Sequence, residues 1–222
     1  MKLTVHILAL RLSTAYLIET PTDLYLVDAG SPGEGGAIME RIAAIESKSL
    51  RLIFLTHAHL DHYGGAADVR RVTGAPVAIH SADAQALAAG QTDIGLARGR
   101  GRLLRTIFPW LQFLLRPEPV EADLMVEDWD SFAHLGLPAE VVHLPGHTAG
   151  SSALLVQELC FAGDLLTNRR RPQRQRFFAQ DWSQLASSLT RLRALRPTLI
   201  YPGHGTSAIA DAELQKLPRD VR

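Results

Sequence analysis

Four potential metal ligands fall within six positions, His57, His59, Asp61 and His62, in the run Thr56-His57-Ala58-His59-Leu60-Asp61-His62. The apolar stretch Leu52–Leu55 precedes them and the flexible pair Gly64-Gly65 follows. Neutral imidazole and carboxylate suit divalent transition ions, and a catalytic site of that kind keeps one coordination position open for water or substrate. Residues two apart in extended backbone face the same side, so His57 and His59 can grip one ion, while Asp61 and His62, in a turn, can reach another. Three later apolar runs end in the same way. Val141–Leu144 leads to Pro145-Gly146-His147, Leu159–Ala162 to Gly163-Asp164, and Leu199–Tyr201 to Pro202-Gly203-His204. Each of these later ligands is expected on a tight loop, where the adjacent glycine lets the backbone approach an ion without a Cβ clash.

A lone histidine is more often a packed or surface residue than a ligand, so His6, His80, His134 and His143 stay outside the set. Five histidines and two aspartates collected after four strand candidates are a different matter, and metal binding is the better reading. Asp28, in Leu26-Val27-Asp28-Ala29-Gly30, either orients a ligand histidine from behind or caps a turn; both readings stand.

The elements that must position these residues are short. Apolar runs at 3–10, 14–19 and 24–28, separated by turn residues, predict antiparallel strands. Ile38, Ile42 and Ile45 lie at helical spacing within 35–47, and Leu52–Leu55 reads as a buried strand. Helices are expected over 65–72 and 81–89, a strand over 76–79, and then the pattern breaks after Gly90. Strands return at 141–144, 151–156 and 159–162, followed by an amphipathic helix over 182–195 and a strand over 198–201. The class is mixed α and β, and at 222 residues one domain spanning 1–222 suffices to bury a core.

With HAHLDH, PGHT, AGD and PGHG in this order, the chain resembles the metallo-β-lactamase-fold hydrolases over most of its length. The resemblance implies an α+β fold built as a four-layer αβ/βα sandwich. It implies one metal held by His57, His59 and His147, a second held by Asp61, His62 and His204, and Asp164 bridging both. Two dications sharing a carboxylate can hold a water or hydroxide between them, lowering its pKa to near neutrality. The expected cofactors are therefore two divalent ions, zinc first, with iron or manganese also accepted by such donors. Asp61 is expected to shuttle a proton as well.

True β-lactamases of this family lack the bridging aspartate, so Asp164 points to the glyoxalase II-like and lactonase-like branch and to cleavage of a thioester or lactone in a small molecule. Only 18 residues follow His204, and the glutathione-recognising C-terminal domain of glyoxalase II is not expected. Phosphodiesterases or nucleases of the same fold are an alternative, although no RNA-binding arm is evident. Persulfide dioxygenases are another: they use a single iron on the equivalents of His59, His147 and Asp164. A purely structural metal module is the weakest reading, because structural zinc sites close with four ligands.

Residues 91–119 do not map onto the shared pattern and are expected to form a helical insertion. Its apolar stretch Leu103–Leu115 is either a substrate lid or an interface, which leaves a homodimer open. The loop Thr167–Arg176 is strongly basic, and Asn168, Arg169 and Arg170 are candidates for binding an anionic substrate group. Lys plus Arg and Asp plus Glu balance at 23 each, so no whole-molecule field favours nucleic acid or an acidic membrane, and neither is expected as partner. The N-terminal apolar residues are interrupted by His6 and Arg11, and the single cysteine, Cys160, fits a reducing compartment; a cytoplasmic protein is expected.

Overall fold

The computed structural model describes residues 1–45 and 48–218; the end of the helix expected over 35–47 lies outside the described residues. Strands β1 (Thr4–Ala9), β2 (Thr14–Glu19) and β3 (Asp23–Val27) form the expected antiparallel meander. The chain continues through α1 (Gly35–Ala43), β4 (Ser49–Phe54), α2 (Leu60–Tyr63), α3 (Ala66–Thr73), β5 (Val77–His80), α4 (Ser81–Ala88), β6 (Leu96–Ala97), α5 (Gly101–Leu115) and β7 (Leu124–Val126). A second meander, β8 (Ala139–His143), β9 (Ser152–Val156) and β10 (Leu159–Asn168), precedes β11 (Gln173–Arg174), β12 (Phe178–Ala179), α6 (Trp182–Leu195), β13 (Leu199–Gly205), β14 (Ile209–Ala210) and α7 (Asp211–Lys216).

Two large sheets result, in the orders β1-β2-β3-β4-β5-β7 and β14-β13-β10-β9-β8 with β11 beside β10, and β6 pairs with β12 in a two-stranded sheet. Where a helix connects neighbouring strands the pairing is parallel, as for β3 with β4, β4 with β5 and β10 with β13. Alternation along each strand divides its side chains between two buried faces. Tyr16, Ile18, Tyr25, Val27, Leu52 and Phe54 point into the layer between the sheets, where they meet Val141, Leu154, Phe161 and Tyr201. The intervening Leu17, Leu24, Leu26 and Ile53 pack outward against Ile38 and Val69 from the flanking helices. On the far side, α6 covers the second sheet with Leu185, Leu189 and Leu192. Strands buried on both faces read as continuous apolar runs, and the architecture is the four-layer αβ/βα sandwich.

Helix α6 keeps the bounds expected from the sequence because both ends are signalled locally. Asp181 accepts from the amides of Ser183 (2.7 Å) and Gln184 (3.0 Å), and Arg196 stops the helix in the left-handed region ahead of Pro197. Among the described residues no helix is long and apolar enough to cross a membrane.

Candidate metal centre

The candidate ligands gather at one end of the two sheets. Beyond β4 the chain bends at Thr56 and His57, is extended at His59, and then α2 makes a single turn that carries Asp61 and His62. His147 stands on the loop between β8 and β9, as expected. Asp164 and His204, by contrast, do not lie on loops after their strands: β10 continues to Asn168 and β13 to Gly205. The two strands shift register between Phe161 and Gly163 and again between Gly163 and Thr167, and these irregularities bend the backbone without ending the pairing. Glycine is required here for space: a Cβ on Gly203 would sit 2.2 Å from Asp164 Oδ1. Gly146, before His147, has φ +128°, a conformation closed to other residues.

All seven residues come together. His57, His59 and His147 form one group, His57, His62 and Asp164 a second, and Asp61, His62 and His204 a third, with the donor atoms of each group within 4.8 Å of one another. His147 Nε2 lies 3.0 Å from His59 Nδ1 and 3.4 Å from Asp164 Oδ2. Asp164 Oδ1 lies 3.3 Å from His62 Nε2 and 3.1 Å from His204 Nε2. Asp61 Oδ2 is 3.8 Å from the Nε2 atoms of both His62 and His204. Two ligands about 2.0–2.1 Å from a tetrahedral zinc are themselves separated by roughly 3.3 Å, so this spacing fits shared ions. A second observation fits too: His57 Nε2, His62 Nε2 and Asp164 Oδ1 are buried without a hydrogen-bond partner. Unsatisfied buried polar atoms are costly, and three that converge on one point are accounted for by cations.

Each histidine has its other nitrogen occupied. His59 Nε2–H donates to Asp93 O (3.0 Å), His147 Nδ1–H to Phe178 O (3.0 Å) and His204 Nδ1–H to Leu12 O (2.7 Å). A carbonyl can only accept, so the remaining nitrogen of each ring carries a lone pair toward the centre. His62 Nδ1–H donates to Asp28 (2.8 Å), and His57 Nδ1 meets Thr56 Oγ1 (3.0 Å), which itself donates to Asp28 (3.0 Å). Of the two sequence readings of Asp28, this hydrogen bonding fits the first, a carboxylate behind a candidate ligand histidine. Burial and the neighbouring imidazoles hold His57 well below the ordinary histidine range and push His147 down to about 3, leaving both neutral and ready to ligate. Burial also lowers His62, but Asp28, Asp164 and Asp61 outweigh it and hold the ring well above the ordinary range.

Sequence reasoning missed Asp83. Its buried carboxylate accepts from Ala58 N (2.9 Å), Thr148 Oγ1 (2.7 Å) and Gly150 N (2.7 Å), tying the loop that carries His57–His62 to the loop that carries His147. Its only sequence signal is a place in the first turn of α4, shared by countless surface aspartates. Asp83→Ala strands two backbone amides, those of Ala58 and Gly150, while the Thr148 hydroxyl can turn to Ser151 Oγ (2.7 Å), and an unfolding free energy lower by about 3 kcal/mol or more is expected, at roughly 1.5 kcal/mol or more per hydrogen bond to a charged group. Chemical denaturation checks it; an unchanged midpoint would remove Asp83 from this role.

A cavity of about 630 Å³ opens over the ligands. One wall comes from the insertion, with Ile94, Leu104, Ile107, Phe108 and Leu111; another comes from the basic loop, with Arg169, Arg170, Arg174 and Arg176. The two walls are one structure, because β6 pairs with β12 and Arg98 N donates to Phe177 O (2.9 Å). Arg169 lies within 3.1 Å of His204 Nδ1 and donates to Leu12 O (2.7 Å). Asn168 is not on the cavity wall; its amide turns to Ser207 O (3.2 Å) and Oγ (3.1 Å). The four histidines left outside the set fall in none of the ligand groups: His6 pairs with Glu19 (2.7 Å), and His80 stacks on His143 at 3.9 Å between ring centroids.

Comparison with known proteins agrees with this geometry. The model of the "Metallo-beta-lactamase superfamily" matches residues 8–204. The "Probable metallo-hydrolase YflN" of Bacillus subtilis (strain 168) is 26% identical over 224 residues, spanning 90% of this chain and 83% of that protein. A hydroxyacylglutathione hydrolase of Aeromonas hydrophila is 30% identical over 190 residues, spanning 85% of this chain but 59% of the relative. Among solved structures, the BLEG-1 B3 metallo-beta-lactamase superposes with a TM-score of 0.72 over 95% of both chains at 23% identity, a likeness of fold.

Proposed function

We propose that this chain, which belongs to the metallo-beta-lactamase superfamily, is a binuclear metal-dependent hydrolase that cleaves an ester-type bond in a small molecule, with a thioester or lactone as the first substrates to expect. The observation that carries the reading is the convergence of three orphaned buried atoms, on His57, His62 and Asp164, within overlapping groups of ligands. His57, His59 and His147 would hold one ion and Asp61, His62 and His204 the other, with Asp164 shared. Zinc suits these nitrogen and oxygen donors, and iron or manganese is accepted by the same set. Such ions, when bound, polarise the substrate carbonyl and bring the pKa of water toward neutrality, so no serine or cysteine nucleophile is needed.

The chain's own residues supply the rest. Asp61 and Asp164 both line the cavity, but Asp164 is buried and the Asp61 side chain is 20% exposed, which supports Asp61 as the carboxylate that carries a proton between water and leaving group. Arg169 and Arg170 offer charge to an anionic group on the substrate, and the α5 wall offers apolar surface to its remainder. A reducing compartment such as the cytoplasm suits the one buried thiol.

Protein purified without chelator is expected to hold two ions per chain and to hydrolyse thioesters or lactones, with loss on metal removal and recovery on readdition. A single iron per chain, no hydrolysis, and oxygen consumption with a persulfide would overturn the binuclear reading in favour of a dioxygenase.

A further inference from the structure

Helix α5 leaves unusual surface in contact with water. Leu103, Trp110 and Leu114 are 73%, 72% and 75% exposed, and only Gly101 of its fifteen residues is buried. At roughly 100° per residue, the side chains follow one another around the helix as Trp110, Leu103, Leu114, Ile107, Leu111 and Leu104. The last three of these line the cavity over the metal ligands. The first three are exposed and are not on its wall. One apolar arc therefore runs unbroken from the outer surface into the cavity wall, far wider than the cavity needs.

The charge around this arc is one-sided. Residues 94–117 contain five arginines and no acidic residue, and residues 165–180 contain five more and again no acidic residue. The pairing of β6 with β12 joins both stretches into one lobe. Ten of the 23 basic residues thus belong to this lobe, four of them, Arg169, Arg170, Arg174 and Arg176, on the cavity wall, and the balance of the whole chain hides a basic lobe on an acidic body. Charge balance had argued against an acidic surface as partner, but what such a surface meets is the local field, because charges more than about 10 Å away are screened at ordinary salt.

We propose that α5 and the arginine-rich turn form a docking surface for an anionic lipid bilayer, with the apolar arc seated at the boundary between headgroups and acyl chains. Leucine, isoleucine and tryptophan on one side of a helix, with arginines at its ends and flank, are the chemistry of an interfacial helix. The arginines have long apolar stems that let the guanidinium reach phosphate while the helix sinks in. A second copy of the chain suits the surface less well. In a two-fold contact across α5 the helix meets itself, and with no acidic residue between 94 and 117 its arginines find only like charge. A soluble polyanion would match the arginines but leave the leucines and Trp110 in water.

The test uses the full-length, metal-loaded protein and co-sedimentation with vesicles of phosphatidylcholine alone, or with a third of it replaced by phosphatidylserine. Binding to the anionic vesicles at low salt is expected, at least tenfold stronger than to neutral ones and weakened by added salt. Trp110→Glu/Leu114→Glu, neither residue being on the cavity wall, is expected to lose at least tenfold in partitioning while turning over a soluble ester at the original rate. Three results would overturn the proposal: no binding to anionic vesicles, equal binding to neutral ones, or a dimer in solution that the two glutamates dissociate.

Discussion

Asp164→Asn is expected to cut hydrolysis at least about a thousandfold and to leave fewer than two ions per chain, whereas Asp61→Asn keeps both ions and slows turnover about a hundredfold. The difference follows from position. Asp164 touches His147 on one side and His62 and His204 on the other, at 3.1 to 3.4 Å, so it is the only carboxylate among the seven that borders both sets of ligands. Burial alone would raise its pKa, yet His204 and His62 together hold it well below the ordinary carboxylate range, so it stays ionised at every pH at which the protein would work. Asparagine removes that charge while keeping the shape. Two cations held by the two sets would then have only a neutral group between them, and the loss expected is a thousandfold, about 4 kcal/mol at the transition state. Asp61 stands only at the outer set, 3.8 Å from His62 and His204, where an amide oxygen can still ligate but cannot take up a proton. Its loss is accordingly set at the level of one general acid–base group. Metal analysis and turnover on the same preparations decide it: full activity with two ions in Asp164→Asn would sink the shared role, and full turnover in Asp61→Asn would sink the proton shuttle.

The cluster of candidate ligands was legible in the sequence because each of its members follows or ends a strand, and a strand buried on both faces is a conspicuous apolar run. Val141–Leu144 before PGH and Leu199–Tyr201 before PGH are patterns that need no structure to be seen. What the sequence hid was anything decided by distant partners. The irregular pairing that keeps Asp164 and His204 inside strands is a property of β10 and β13 together and has no local signature. Asp83 is 65 residues from Thr148 and 67 from Gly150 in sequence, so nothing near it announces its partners. The two-residue strands β6 and β12 carry no periodicity at all, yet their pairing turns an unassigned insertion and an unassigned arginine loop into one lobe. For Leu103–Leu115 the sequence offered lid or interface as alternatives. The helix lines the cavity with some of its side chains and leaves others in water, a division that depends on how it lies against the rest of the chain and has no local signature.

Asp28→Asn is expected to weaken metal binding ten- to a hundredfold in both positions while leaving the fold intact. Asp28 adopts φ +60°, a left-handed conformation that aspartate and asparagine tolerate better than other side chains, so the backbone accepts this substitution. One carboxylate oxygen accepts from Thr56 N (2.8 Å) and the other from His62 Nδ1 (2.8 Å), while Thr56 Oγ1 lies 3.0 Å from both. Asparagine can keep the acceptor that faces Thr56. Its amide nitrogen then faces His62 Nδ1, which must accept instead of donate, and the imidazole proton moves to Nε2, the atom that would ligate. His57 is affected more weakly, through Thr56 Oγ1, which links its Nδ1 to the same carboxylate. One substitution away from the cavity therefore reaches one ligand in each set, which no substitution of a ligand other than Asp164 would do. Asp28→Ala would also lose metal, but it strands three donors and adds backbone strain, so its loss would not separate orientation from folding. Competition with a chelating dye, read beside the thermal midpoint, makes the distinction: wild-type affinity at both positions in Asp28→Asn would mean that the histidines do not depend on Asp28 for their tautomer, and a collapsed midpoint would mean that Asp28 acts on the fold rather than on the ligands.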